Sequence, residues 1–335
     1  MLIYYAPGGG LGHLSRALKV LGFIKAQQAL VITSPLPLAV DALLPKGIQH
    51  ISLPPRLQSR AELSAWLTQL LALLNKQQEC RLMLIDAFPG GIWGELGDIL
   101  LPGKLVYIAR LLNWNVYRQR VAHIPRFQQI WFCEWPTPEQ EQALSNQTGQ
   151  RFWLPLLGED KSKGATPNGF EKPKQTLVIH SGSLAEQALL LEHATKAGEE
   201  IDIIAPPHPS ADAGFNSNPL DSKSLDKSAL SDFNNCTNKE HEPGLTRLQL
   251  YPASDIGWQY QKVICGGGFN LVSEYILHPG ALFVPLTRAL DLQHLRIERG
   301  LGGFLPPPGL SSVPNDILKR SYSYSGASGA CHSRL

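Results

Sequence analysis
The sequence predicts an α/β protein of two domains, each built on a parallel sheet. Three observations carry this expectation. Short apolar runs alternate with segments of helical period along most of the chain, the pattern of parallel βαβ units with right-handed crossovers. Around residues 156–173 the composition turns to Gly, Pro, Lys and Asn, and the alternation then resumes. A length of 335 residues exceeds one ordinary domain and suits two.

In the first half the predicted strands are Leu2–Ala6, Ala29–Thr33, Gln49–Leu53, Leu82–Asp86, Leu105–Ala109 and Ile130–Cys133. After the first strand comes an amphipathic helix through Leu14, Ala17, Leu18 and Leu21. The clearest helix is Ala61–Lys76, where Leu63, Trp66, Leu67, Leu70, Leu71 and Leu74 recur at i, i+3, i+4, i+7 spacing. Ser59 and Glu62 open it as a capping box. In the second half the strands are Thr176–His180, Ile201–Ala205, Leu248–Tyr251, Val263–Gly266 and Ala281–Pro285. Ser183 and Glu186 form a second capping box, and a further helix spans Leu271–His278. The expected division is a first domain over 1–156, a linker over 157–174, a second domain over 175–320 and a disordered tail over 321–335. Ser210–Pro243, rich in Ser, Asn, Asp and Lys, reads as a flexible surface excursion.

Bulk properties exclude several classes. Hydrophobic residues make up 43% and charged residues 17%, enough apolar material for two cores and too much for general disorder. A net charge of +2 with no dense Lys/Arg run argues against nucleic acid as a partner. The five cysteines are scattered without a C-x-x-C pair, which suits free thiols in a reducing compartment and argues against a zinc site. No apolar stretch approaches the ~18 residues that span a bilayer, and the N-terminus begins as a strand without a leader. The expected location is therefore the cytoplasm, with peripheral membrane contact left open.

Three strand-to-helix junctions are rich in Gly and small polar residues, where open α/β sheets bind ligands. The first is Gly8-Gly9-Gly10-Leu11-Gly12-His13-Leu14-Ser15-Arg16. Glycines allow a sharp turn and present free N–H groups at a helix start, where the helix dipole favours negative charge. It is a poor dinucleotide fingerprint: from Gly8 the third glycine of G-x-G-x-x-G falls on His13, and the second strand ends in Thr33-Ser34-Pro35 without an acid. A tight turn needs no imidazole, so His13 is the discriminating residue. The second junction is His180-Ser181-Gly182-Ser183, for which capping alone is an equally good account. The third is Gly266-Gly267-Gly268-Phe269-Asn270, with Glu274 one turn into the helix and Asp291-Leu292-Gln293-His294 downstream. A carboxylate just inside a glycine-opened helix can take both hydroxyls of a ribose while the amides ahead of it take phosphate.

The run GGGFNLVSEYILHPGALFVPLTRALDLQHL resembles the donor-site signature of GT-B glycosyltransferases, nearest to the peptidoglycan N-acetylglucosaminyltransferase branch and its bacterial relatives. GGGLGHLSRAL is similar to that family's glycine-rich acceptor-side loop, and HSGS stands where the family has a second phosphate-side loop. The likeness covers most of residues 1–303. It implies two Rossmann-like domains with parallel sheets facing a cleft, donor nucleotide in the second and acceptor in the first. On that resemblance Glu274 binds the donor ribose, Ser181, Gly182, Ser183, Gly267, Gly268, Phe269 and Asn270 bracket the diphosphate, and Gln293 touches the sugar. His13 stands at the cleft as the candidate catalytic base or an acceptor clamp, and Gly9, Gly10, Gly12, Arg16 and Asp86 line the acceptor side. The chain departs from the family at His294, where a second Gln or Asn is common, and in lacking a full final helix after Gly303.

The activity implied is transfer of a sugar from a nucleoside-diphosphate sugar to an acceptor, lipid-linked or protein, with inversion. No cofactor and no metal are expected, because the chain has no D-x-D triplet. Backbone donors would then stabilise the leaving group, and an imidazole near neutrality would deprotonate the acceptor. A large acceptor would want an exposed rim, for which Trp93, Trp114, Arg110 and Arg118 are the candidates. Gly10-Leu11-Gly12-His13-Leu14-Ser15-Arg16 also resembles a loop of GT-B nucleotide-sugar hydrolases, in which the histidine would activate water. A non-catalytic donor-binding subunit is the third reading.

Overall fold
The structure is a computed structural model that describes residues 1–8, 11–36, 40, 44–57, 59–77, 80–101, 103–147, 150–158, 175–195, 201–205, 245–248 and 256–314. Gly9 and Gly10, the Ser210–Pro243 excursion and the 321–335 tail lie outside the described residues.

The first sheet contains β1 (Leu2–Ala6), β2 (Ala29–Thr33), β3 (Ile48–Ser52), β4 (Leu82–Asp86), β5 (Lys104–Ala109), β6 (Gln129–Phe132) and β7 (Arg151–Trp153). The second contains β8 (Thr176–Ile179), β9 (Ile201–Ile204), β10 (Leu245–Leu248), β11 (Lys262–Gly266) and β12 (Ala281–Val284). All neighbours pair in parallel, in the orders β3-β2-β1-β4-β5-β6-β7 and β10-β9-β8-β11-β12. The helices are α1 (Gly12–Phe23), α2 (Arg60–Gln77), α3 (Trp114–Tyr117), α4 (Pro138–Ser145), α5 (Leu184–Thr195), α6 (Phe269–Tyr275) and α7 (Gln293–Arg299). This is the mixed α/β architecture of two Rossmann-like domains.

The central strands are apolar on both faces because helices cover both. In β1, Leu2, Tyr4 and Ala6 enter one core while Ile3 and Tyr5 enter the other. The same alternation separates Leu177 and Ile179 from Val178 in β8. On α2, Leu63, Leu67 and Leu71 are buried at four-residue steps, each contributing about 1.5–3 kcal/mol of transfer free energy. Ser59 Oγ accepts from Glu62 N at 3.3 Å ahead of that helix. In α4, Pro138 follows the N-cap Thr137, whose hydroxyl accepts from Gln140 N at 3.3 Å.

Two strand assignments differ from the sequence reading. Of the strand expected at Leu248–Tyr251, Leu248 ends β10 (Leu245–Leu248) opposite Ile204, and 249–251 lie outside the described residues. Among the described residues β10 pairs with β9 alone, and Thr246 and Arg247 interrupt its apolar run in the sequence. β7 escapes notice because Pro155 cuts its apolar run short. The helix expected over Leu271–His278 occupies Phe269–Tyr275 instead.

The halves are joined by more than covalent passage. Phe269 and Val272 of α6 share a core with Leu14, Ala17 and Leu21 of α1. Beyond α7 the chain returns to the first sheet. Trp135 N donates to Gly303 O at 3.1 Å, Trp153 N to Ser311 O at 2.8 Å, and Val313 N to Trp153 O at 2.8 Å. Cys80, Cys133 and Cys265 are buried and unbridged. Among the described residues no helix is long and apolar enough to cross a membrane.

Candidate active site
Each sheet has one point where its strand order reverses: between β1 and β4 in the first, and between β8 and β11 in the second. Crevices for ligands form at the carboxyl ends of the strands at such points. The Gly8–Arg16 loop follows β1, and Asp86 ends β4. His180–Ser183 follows β8, and Gly266–Asn270 follows β11. All three glycine-rich junctions therefore open at a reversal.

At the first reversal His13 and Asp86 meet, with Nδ1 2.7 Å from Asp86 Oδ2. Arg16 grips the same carboxylate through Nε on Oδ1 at 2.6 Å and Nη2 on Oδ2 at 2.5 Å, and Tyr4 Oη donates to Oδ1 at 3.2 Å. Asp86 is 0% exposed and His13 8%. Burial alone would raise the Asp86 carboxyl, but Arg16 and the hydrogen bonds from His13 and Arg16 outweigh it and hold the group well below the usual range. An ionised carboxylate only accepts, so His13 Nδ1 carries the proton and Nε2 keeps its lone pair. Burial also pushes the His13 pKa below its ordinary value, against the opposing pull of Asp86. The imidazole is thus neutral, basic and fixed in one tautomer at neutral pH.

The backbone makes room for this pair. A Cβ on Gly8 would stand 2.1 Å from His13 Nε2, so the ring lies directly against residue 8 and only glycine fits. Gly8 N donates to Ser34 Oγ at 3.0 Å. After Asp86 the chain reverses through Ala87 at φ 61°, with Phe88 N donating to Asp86 O at 2.6 Å. A left-handed alanine closing a three-residue turn is strained, and such strain gathers at functional sites. The following loop is propped from beneath: Glu95 accepts from Tyr5 Oη at 2.6 Å and from the amides of Ile92 and Trp93 at 3.1 and 2.9 Å.

The structure ties the other acceptor-side candidates to the second half. Gly12 O accepts from Asn270 Nδ2, and the Arg16 guanidinium lies 5.3 Å from the Phe269 ring centroid. Of the proposed rim, Arg118 is exposed and Trp93 half-buried, but Trp114 and Arg110 are buried. Trp114 packs its ring on Tyr117, and Arg110 turns inward towards the second half, so neither lines an exposed rim.

At the second reversal Ser183 and Glu186 form the expected capping box, Glu186 N to Ser183 Oγ at 3.3 Å and Ser183 N to Glu186 Oε2 at 3.1 Å. Glu186 also meets His180 Nε2 at 3.0 Å and Arg288 Nη2 at 2.7 Å. A Cβ on Gly182 would sit 2.2 Å from the Glu186 carboxylate, so that glycine permits the contact. Ser181 and Ser183 are exposed at the loop tip. Across from them, Gly267 N donates to Val284 O at 3.0 Å, while Gly268 is the open N-cap of α6. Phe269 is buried against Phe304, and Asn270 holds Gly12. Glu274 pairs with Lys19 of α1 at 2.5 Å. Gln293, 5% exposed, accepts at Oε1 from Leu286 N at 2.9 Å and donates from Nε2 to Asp291 Oδ2 at 3.2 Å.

Sequence reasoning missed a buried network between the halves. Arg296 donates to Glu134 through Nε at 2.5 Å and Nη2 at 3.0 Å, to Gly267 O at 2.8 Å, and pairs with Asp291 Oδ1 at 2.8 Å. Arg110 Nη1 reaches the same Asp291 Oδ1 at 3.0 Å. A signal was present: Asp86, Arg110 and Glu134 all stand at or just after the carboxyl ends of β4, β5 and β6, which are consecutive neighbours.

No family model matches the chain, and no curated protein matches its sequence. Solved structures do match its fold. UGT2 of Phytolacca americana, complexed with UDP-2-fluoro-glucose and pterostilbene, aligns over 96% of this chain and 88% of that one, at 12% identity and TM-score 0.50. A protein assigned as a UDP-N-acetylglucosamine 2-epimerase from Listeria monocytogenes aligns over 95% and 86%, also at 12% identity and TM-score 0.50. At such identity the likeness establishes architecture alone, and that architecture is GT-B.

Proposed function
We propose that this chain is a metal-independent glycosyltransferase that moves a sugar from a nucleoside-diphosphate sugar to an acceptor hydroxyl, with inversion. The observation that carries the reading is the His13–Asp86 pair, 2.7 Å apart and buried at the reversal point of the first sheet. His13 Nε2 would take the acceptor proton as the acceptor oxygen attacks the anomeric carbon and the nucleoside diphosphate departs. Asp86 fixes the tautomer and stabilises the imidazolium that forms. On this reading the donor lies against Ser181–Ser183 and Gly267–Asn270, with Glu274 on the ribose and Gln293 near the sugar. Glu274 would have to exchange Lys19 for the ribose. The fold shared with a protein that binds UDP-2-fluoro-glucose supports a nucleotide-sugar donor. The same pair could activate water, which is the hydrolase reading.

The test is incubation of the full-length protein with labelled nucleotide sugars, with and without candidate acceptors. Transfer that needs acceptor and is lost in His13→Ala is the expected result. Rapid release of free sugar in buffer, also lost in His13→Ala, would replace the transferase by a hydrolase. Binding without turnover under either condition would favour the non-catalytic subunit.

A further inference from the structure
Arg110 stands at the carboxyl edge of the first sheet and pairs with Asp291 of the second half. Its backbone is pinned: Gln140 Nε2 donates to Arg110 O at 2.9 Å, and the next two amides bond Glu134 at 3.0 Å and Gln140 at 3.2 Å. Its side chain is 9% exposed and, among the described residues, makes one ion pair, Nη1 with Asp291 Oδ1 at 3.0 Å. Its Nε is buried and has no hydrogen-bond partner among the described residues. A buried guanidinium N–H left unsatisfied costs free energy, and nearby Arg296 is by contrast fully used by Glu134, Asp291 and Gly267.

The location fits a ligand anion. Arg110 Cζ lies 5.9 Å from the Phe88 ring centroid, and the same ring stacks on His13 at 5.9 Å between centroids. The base and this cation therefore flank one side chain. Asp291, to which Arg110 reaches, also holds Arg296, which in turn bonds the carbonyl of Gly267. Asp291 would keep Arg296 and Gln293 if Arg110 left it.

We infer that Arg110 receives the diphosphate of the donor, giving up Asp291 when the nucleotide enters. The inference rests on the nucleotide-sugar reading above and adds a residue from the opposite half to it. In the transfer step the acceptor oxygen bonds the anomeric carbon, its proton passes to His13 Nε2, and the bond from that carbon to the diphosphate oxygen breaks. The electron pair leaves with the diphosphate, and the added negative charge faces a planar fork suited to two phosphate oxygens. In the free protein Asp291 stands in for that anion and competes with it.

Calorimetric titration tests this with the full-length protein and a panel of UDP, GDP, dTDP, CDP and ADP, each beside its parent nucleoside. For the tightest diphosphate, Arg110→Met is expected to weaken binding on the order of 10- to 100-fold while the nucleoside binds as before. Asp291→Asn is expected to tighten the same diphosphate several-fold, about the effect of removing one competing charge, an outcome that a merely structural Arg110 would not produce. If wild type binds a diphosphate and Arg110→Met binds it equally, Arg110 is not its ligand. If Arg110→Met does not fold, an unchanged or weakened affinity in Asp291→Asn overturns the inference by itself. If wild type binds no member of the panel, the nucleotide-sugar reading falls and takes this inference with it.

Discussion

Replacing Asp86 by Asn changes one atom and no volume, so its effects isolate the charge and the tautomer. The carboxylate accepts from His13 Nδ1, Arg16 Nε, Arg16 Nη2 and Tyr4 Oη, all in a site with 0% exposure at Asp86. An amide has one oxygen for these four donors. If the amide nitrogen faces Oδ2's partners, it meets Arg16 Nη2 donor to donor, and His13 must accept at Nδ1 and move its proton to Nε2. If it faces Oδ1's partners, it opposes Arg16 Nε instead. Either way Arg16, 3% exposed, keeps its charge without a counter-ion. Removing one partner of a buried ion pair costs about 3–5 kcal/mol. Misplacing the proton of a general base costs about 10²–10⁴ in turnover. Urea unfolding and turnover of the best nucleotide sugar measure the two effects, and Arg16→Met in the Asp86→Asn background should recover part of the stability but none of the activity. An Asp86→Asn protein within about 1 kcal/mol of wild-type stability and tenfold of its rate would refute both the ion-pair account and the assignment of His13 as base.

Further outcomes follow from the same geometry. His13 works only when neutral, so activity falls as pH drops through its folded pKa; because burial lowers that pKa, the acid limb of kcat/KM should lie below the ordinary ~6.5, and a limb above that value would contradict the neutral dyad. Gly8→Ala drives a methyl to 2.1 Å from His13 Nε2 and should cut turnover by about 10² or more while nucleoside-diphosphate affinity, read by titration, stays within threefold. Glu274→Ala should lose nucleotide-sugar affinity whereas Lys19→Ala should not; equal losses in both would make the Lys19–Glu274 pair a latch between the halves and remove Glu274 from the ribose.

Most of the fold was legible because parallel strands buried on both faces write themselves as continuous apolar runs between turn signals. Leu2–Ala6, Ala29–Thr33 and Leu82–Asp86 appear in the sequence as they appear in the structure. The losses are at the ends of the two strand orders, where the apolar runs are short or broken: β10 carries Thr246 and Arg247 in its sequence, and β7 has three residues. At the site, the glycines stood out as a sharp strand-to-helix turn and His13 because such a turn needs no imidazole. The partnership of His13 with Asp86 did not, because the two are 73 residues apart and meet only once β4 lies beside β1. The network of Arg110, Glu134, Asp291 and Arg296 is illegible for a stronger reason. Its burial depends on how the halves close on each other: in sequence Arg110 reads as a rim residue and Asp291 as a neighbour of Gln293, while Glu134 and Arg296 belong to no motif.

The strip from Gly303 to Val313 has a consequence for how this molecule comes apart. The chain leaves the first sheet after Trp153, with Gly158 N already bonded to Ser273 O of the second half, and it comes back to that sheet beside β7, where Ser311 O accepts from Trp153 N and Val313 N donates to Trp153 O. The wiring is a closed circuit, not a string with two beads. A single cut anywhere in 159–174 would therefore yield a nicked molecule whose two fragments stay clasped, since the downstream fragment carries its own hold on the upstream one.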